Sequence, residues 1–296
     1  MEPVAIVGGG AVAQSLGRAL RGRGAPVVAV AARHPERARA AAAFVGAGVR
    51  TAAYAELPGL ASHLIVAVSD EAIEIVGEQL AAAGWRTGVA VHTCGARGPD
   101  ALAALRTAGA ACGVLHPLQT LPSAELGAAR LQGITFGVGG DPAAVAWAET
   151  LVTLLNGRAL HVAPDGFPAY HAAAALAGNA VPALLDAAIT LMEQAGVAPD
   201  AALEALTPLC RASAGNATTV GPVAALTGPV ARGDADTILR HARALAGAPP
   251  DVVDLYVAVS RRLLDLARRR GLDQAAARRV EQAIGAALRA PASTLS

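Results

Sequence analysis

Residues 4–17 read VAIVGGGAVAQSLG, and no other segment restricts the possible folds so tightly. A β-branched run that breaks into Gly8-x-Gly10-x-x-Ala13 describes a strand turning at once into a helix. Gly8 permits the tight turn, Gly10 lets the backbone approach a phosphate with no Cβ in the way, and Ala13 allows close helix–strand packing. Gly9, Ala11 and Val12 complete the loop, and Gly17, one turn on, keeps the packed helix face narrow. Such a turn aims unpaired backbone N–H groups at a dinucleotide pyrophosphate.

The pattern continues as strand and helix in alternation. Apolar runs at 4–7, 27–32, 63–68, 88–92, 112–115 and 134–138 read as strands separated by helical segments, which is the pattern of a doubly wound parallel sheet of the Rossmann type. Beyond about residue 160 the strand runs stop. Helical spacing then predicts spans at 168–195, 199–214, 235–246, 250–270 and 273–289. The chain therefore reads as an α/β domain at 1–163 followed by an all-helical domain at 164–296, a length that suits two cores. The stretch Ala172–Met192 is apolar enough to resemble a membrane span, but Asn179, Pro182 and Asp186 interrupt it, so a buried central helix kinked at Pro182 is expected.

Composition excludes several chemistries. All 24 cationic residues are arginine, so no step can use a catalytic ammonium or a lysine Schiff base. A net charge of +1 offers no field for nucleic acid. The run Arg268-Arg269-Arg270 sits where a helix should end, and cations there complement the helix dipole. Three cysteines without CxxC spacing, and a start that runs straight into the first strand with no signal peptide, predict a cytoplasmic protein with no membrane partner. His92, Cys94, His116 and His171 lack the close spacing of metal ligands, so no metal is expected.

The cofactor and the chemistry are read from strand ends, because ligands of open α/β sheets lie beyond the strands' carboxyl ends. After the second strand comes Arg33-His34-Pro35, with no carboxylate before Glu36. An acidic residue there would hold the ribose hydroxyls of NAD, whereas Arg33, with Arg37 a turn later, suits the 2′-phosphate of NADP. Val68-Ser69-Asp70 and His92 end the next two strands and are expected on the nicotinamide side, with Asp70 read as a helix cap. His116-Pro117-Leu118-Gln119-Thr120 follows the strand at 112–115. Hydride transfer to C=O or C=N leaves charge on the heteroatom, and an imidazolium is suited to neutralise it. His116 is therefore the first candidate for the acid, with Tyr170 or His171 as alternatives. Gln119 and Asn179 are read as orienting the substrate, on a long helix that opens at Tyr170 and walls a cleft between the domains. Arg232-Gly233-Asp234 reads as a loop and cap before the helix at 235–246, with Arg232 a minor candidate for a carboxylate.

The set GGGAVAQSLGRAL, HTCGA, HPLQTLP, YHAAAALAGNAVPALL and ALTGPVARGD resembles a largely uncharacterised family of Rossmann-like bacterial proteins. That family is related to the pyrroline-5-carboxylate reductase, 6-phosphogluconate dehydrogenase and prephenate dehydrogenase superfamily. The resemblance spans essentially the whole chain and implies a helical domain that often dimerises. It also raises His116 above the other six histidines, since a His-Pro after a strand in prephenate dehydrogenases engages the reacting oxygen. The lysine acid of the β-hydroxyacid dehydrogenases and ketopantoate reductases has no counterpart here.

Together these features predict an NADPH-dependent reductase of a small carboxylate-bearing carbonyl or imine, such as a 2-oxo acid like ketopantoate or a cyclic imine, forming a homodimer through the helical domain. The alternative is an NADP(H)-binding sensor without turnover.

Overall fold

The computed structural model describes residues 1–288, which divide into two compact units, Met1–Asn179 and Ala180 onward. The first contains β1 (Val4–Val7), α1 (Ala11–Gly22), β2 (Val27–Ala31), α2 (Pro35–Val45), β3 (Arg50–Thr51), β4 (His63–Val66), α3 (Ile73–Ala82) and β5 (Val89–His92). It continues with α4 (Ala103–Ala108), β6 (Ala111–Pro117), α5 (Ala124–Arg130), β7 (Thr135–Gly140), α6 (Pro142–Leu154), β8 (Arg158–His161) and α7 (Phe167–Ala177).

The eight strands form one sheet in the order β3-β2-β1-β4-β5-β6-β7-β8. Strand alternation explains its two cores. Val4, Ile6, Ile65, Val91, Phe136 and Val138 face α1, α2 and α6, while Ala5, Val7, Leu64, Val66 and Cys112 face α3 and α4. Both faces are covered, so the strands read as continuous apolar runs. The sheet departs from the expected all-parallel pattern at β7, which runs antiparallel to β6 with His116 opposite Gly137. The two strands missing from the sequence reading, β3 and β8, are short and exposed at the sheet edges, with little apolar signal.

The predicted helix at 168–195 is two helices. α7 ends at Ala177, and α8 (Ala180–Gln194) begins after Gly178-Asn179. Pro182 has no N–H to offer the Gly178 carbonyl four residues back, so the ladder breaks there instead of kinking. The compact first unit accordingly ends at Asn179, not at the expected 163, because α7 packs its rings onto the sheet. Nor is this segment a buried central helix: Phe167 is the only buried residue of α7, and α8 has none.

The second unit contains α8, α9 (Pro199–Val220), α10 (Gly228–Arg232), α11 (Ala235–Ala244), α12 (Pro250–Arg269) and α13 (Gln274–Ala287). Ile238, Val257, Leu264, Val280 and Ile284 form its core. Asp234 caps α11 by accepting from the Thr237 N–H at 3.0 Å, as the sequence predicts. The arginine run ends α12: Arg268 pairs with Glu281 at 2.8 Å, and Arg270 donates to the Leu226 carbonyl. The predicted end of the last helix, residue 289, lies outside the described residues.

Gly17 is the tightest point of α1. A Cβ there would lie 2.6 Å from Val45 Cγ2 and 2.8 Å from Ile6 Cδ1. Gly17→Val should therefore lower stability by roughly 1–3 kcal/mol through overpacking, seen as a lower urea midpoint at unchanged slope.

Candidate active site

The glycine turn has the geometry its sequence demands. Gly8 adopts φ +138°, and a Cβ on it would collide with the Ala67 carbonyl at the end of β4. Nothing lies within 4 Å of where a Cβ on Gly10 would be, so the N-terminus of α1 opens onto free space. That helix has no side-chain cap and no acidic residue in its first turn. Its N–H groups and positive dipole end are thus left for an anion.

A groove of about 570 Å³ runs from this turn. Gly8, Gly9, Gly10, Ala11, Val12, Arg33, His34, Val68 and Ser69, all expected from sequence, line it. Ala13 does not; it is buried behind the loop and serves the packing role given to it. At the far end Arg33 and Arg37 face the groove, with Arg33 Nε 3.2 Å from His34 Nε2. No carboxylate from the end of β2 lines the groove, while Glu36 lies 3.7 Å from His34 among exposed side chains. Asp70 and Thr93, from the two strand ends expected on the nicotinamide side, also line it, as does Tyr54, which was not assigned to it from the sequence. Asp70 follows Ser69, the residue at the cap position of its turn, where no side-chain cap bond forms. These residues fit a dinucleotide: backbone donors for the pyrophosphate, guanidinium groups at the ribose end and apolar Val12, Val68 and Val76 along the walls.

His92 does not face this groove. It is fully buried, its Nε2–H donates to the Gly98 carbonyl at 3.0 Å, and its Nδ1 accepts from the Cys94 N–H at 3.3 Å. Burial pushes its pKa down to about 4. With both nitrogens occupied, His92 orders the loop after β5 and touches no ligand space.

The five residues expected to carry the chemistry do come together. His116, Gln119, Tyr170, His171 and Asn179 line a second pocket of about 490 Å³, wholly within the first unit. His116 lies near the end of β6, and its Nδ1 is 2.8 Å from Tyr170 Oη. The Gly137 backbone also hydrogen-bonds that phenol oxygen. With a backbone N–H directed at Oη, the Tyr170 O–H donates to His116 Nδ1, which leaves the ring proton on Nε2. The His171 ring stands edge-on at 5.8 Å. Gln119 is folded back, its Oε1 accepting from the Thr120 N–H at 2.9 Å, so its NH₂ is the end left to donate.

Missing side chains make this arrangement possible. A Cβ on Gly137 would lie 2.7 Å from Tyr170 Oη, one on Gly139 3.0 Å from Phe167 Cε2, and one on Gly95 2.7 Å from His116 Nε2. Alternate glycines in Thr135–Gly140 were the available sequence signal for a ring-packing face. The electrostatics alter the role expected of His116. Burial, reinforced by the neighbouring His171, lowers its pKa to about 4, so the ring is neutral near pH 7 and is not a standing imidazolium.

Residues 3–94, which build the groove, match the family described as NADP oxidoreductase, coenzyme F420-dependent. Residues 134–263 match a domain of unknown function. In fold the chain is similar to a protein from Thermotoga maritima at 23% identity, covering 90% of this chain and 98% of that one with a TM-score of 0.70. It is similar also to a Bacteroides fragilis protein assigned as an NADP oxidoreductase, at 23% identity, 89% and 98% coverage and a TM-score of 0.66. A reductive aminase from Aspergillus terreus in complex with NADPH4, cyclohexanone and allyl amine is similar at 17% identity, 98% and 94% coverage and a TM-score of 0.57. No significant match is found among curated proteins.

The two buried histidines give this protein a defined acid sensitivity. Both fold with a pKa near 4, against about 6.5 in an unfolded chain. The unfolded state therefore binds protons first, and the stability they contribute is complete above about pH 6.5 and lost as pH falls toward 4. Thermal unfolding across that range should show a falling midpoint, with a shallower slope in His92→Gln.

Proposed function

We propose that this oxidoreductase reduces a small carbonyl or imine with NADPH, and that the His116–Tyr170 pair delivers the proton. The observation that carries the reading is the 2.8 Å bond between His116 Nδ1 and the Tyr170 hydroxyl in a pocket containing every expected polar candidate. Bound nicotinamide supplies the hydride. Neutral His116 presents Nε2–H to the reacting heteroatom and polarises it, as a neutral imidazole can in a site that disfavours the cation. As negative charge develops, the Nε2–H proton passes to the heteroatom and the Tyr170 proton passes to Nδ1. The tyrosinate left behind keeps its bond from the Gly137 backbone and takes its proton back from Nδ1 as Nε2 regains one from water, which restores the starting tautomer. Gln119 and Asn179 orient the substrate, and His171 stands as the alternative acid.

The pocket contains no arginine, which favours an uncharged carbonyl or imine over the carboxylate-bearing substrate expected from sequence. Arg33 and Arg37 support NADPH over NADH, because a guanidinium pairs with the 2′-phosphate that NADH lacks. A homodimer through the helical unit is part of the same proposal. Only Ala202 of α9 is buried, and Leu203, Leu209 and Val220 stand exposed along that helix, an apolar load that a monomer would leave in water.

NADPH consumption should be measured across uncharged ketones, cyclic imines and 2-oxo acids. His116→Ala should lower kcat by roughly 10²–10⁴ with NADPH affinity unchanged, and Tyr170→Phe should lower it in the same direction. Because neither group titrates near neutrality in this arrangement, kcat/KM should stay flat between pH 6 and 8. A fall above pH 6.5 would restore the imidazolium reading. Arg33→Ala should weaken NADPH by about tenfold and leave NADH unchanged, read by calorimetric titration.

A further inference from the structure

The second unit carries a half-open, largely apolar pocket that the proposed chemistry does not use. It measures about 300 Å³, and its walls come from α8, α11 and α12, with Leu184, Leu191, Ile238, Val252 and Leu263 among them. Size alone places it at the lower bound of small-molecule sites. Its chemistry is more informative, because four polar side chains, Thr227, His241, Tyr256 and Ser260, line an otherwise apolar space. His241 Nδ1 lies 2.8 Å from Tyr256 Oη, and Ser260 hydrogen-bonds the same phenol. Tyr256 and Ser260 are four residues apart on α12, hence on one face, and Ser260 is 3% exposed. A hydroxyl that deep in an apolar wall is costly unless it has a partner. Here buried Ser260 is linked through half-buried Tyr256 to exposed His241, a chain that runs from the wall to the pocket surface. No Asp, Glu or Arg lines the space, so nothing in it would compensate a charged ligand.

We infer that this cavity is a binding site for a neutral, mostly hydrocarbon small molecule with one hydroxyl or carbonyl, its chain against Leu184, Ile238 and Leu263 and its polar end on the Tyr256 hydroxyl. The site lies within the second unit and shares no residue with the dinucleotide groove or the His116 pocket. The inference is therefore independent of the proposed reaction.

The test uses the full chain and the neutral fluorophore N-phenyl-1-naphthylamine, displaced by linear 1-alkanols from butanol to decanol. Saturable binding of one fluorophore per chain is expected. Alkanol affinity should rise about fourfold per methylene until the cavity is filled and then level off. Ala188→Phe, which fills the cavity from α8, should abolish binding. Tyr256→Phe should weaken alkanols by about fivefold while leaving the fluorophore unchanged. Thermal unfolding and NADPH titration of each variant establish that it is folded, and sedimentation establishes its oligomeric state. Absence of saturable binding, or equal binding to folded Ala188→Phe, would overturn the assignment. A loss of self-association in Ala188→Phe with no change in alkanol affinity would also overturn it and give the cavity to a second copy of the chain.

Discussion

The close approach of Gly8 to the Ala67 carbonyl is the contact on which the cofactor half depends. β1 lies between β2 and β4, and the chain must leave it, clear the end of β4 and enter α1 within a few residues. Only a residue without a Cβ, at φ +138°, makes that passage. Once the turn is fixed, the N-terminus of α1 points along the groove, and the free ends of β2, β4 and β5 fall around it. Gly17 then lets α1 settle against Ile6 and Val45. Turn, helix and groove are one constraint expressed at successive positions.

A comparable economy of side chains shapes the second pocket. His116 rests on Gly95, while Tyr170 and Phe167 rest on Gly137 and Gly139. Each ring is held by backbone on one side and by another ring or a hydrogen bond on the other. This is how an alanine-rich helix with few anchors is fixed on the sheet: α7 has one buried residue, Phe167, and Tyr170 hydrogen-bonds both His116 and the Gly137 backbone. Desolvation follows from the same packing and keeps the imidazole neutral.

Much of this was legible in the residues. The glycine turn, the strands with apolar runs and the five polar pocket residues carry signals short in range and chemically distinctive. What was not legible depends on long-range geometry. The reversed direction of β7 leaves no mark in a run such as Thr135–Gly140, because period-two patterning is the same for either direction. The burial of His92 behind the groove is set by where the Gly98 carbonyl returns in space, and the low pKa of His116 by the walls around it. The apolar segment Ala172–Met192 reads from hydropathy as buried, yet none of it is buried within either unit, and Leu176, Val181 and Leu184 stand exposed. Asn179 illustrates both sides: its role as a pocket residue was visible, but its position in a helix break was not.

The pairing of His116 with Gly137 across β6 and β7 also bears on how this chain can vary. Side chains in β7 alternate, with Phe136 and Val138 in the core and Gly137 and Gly139 under the rings of α7. A slip of one residue would turn a phenylalanine or valine toward Tyr170 and leave glycines in the core. Insertions and deletions between the two strands therefore cannot be absorbed in the ladder. Within the connecting segment α5 is fixed as well, its Gly127 against Ser15 of α1, so changes of length fall to the turns around that helix while strand phase stays constant.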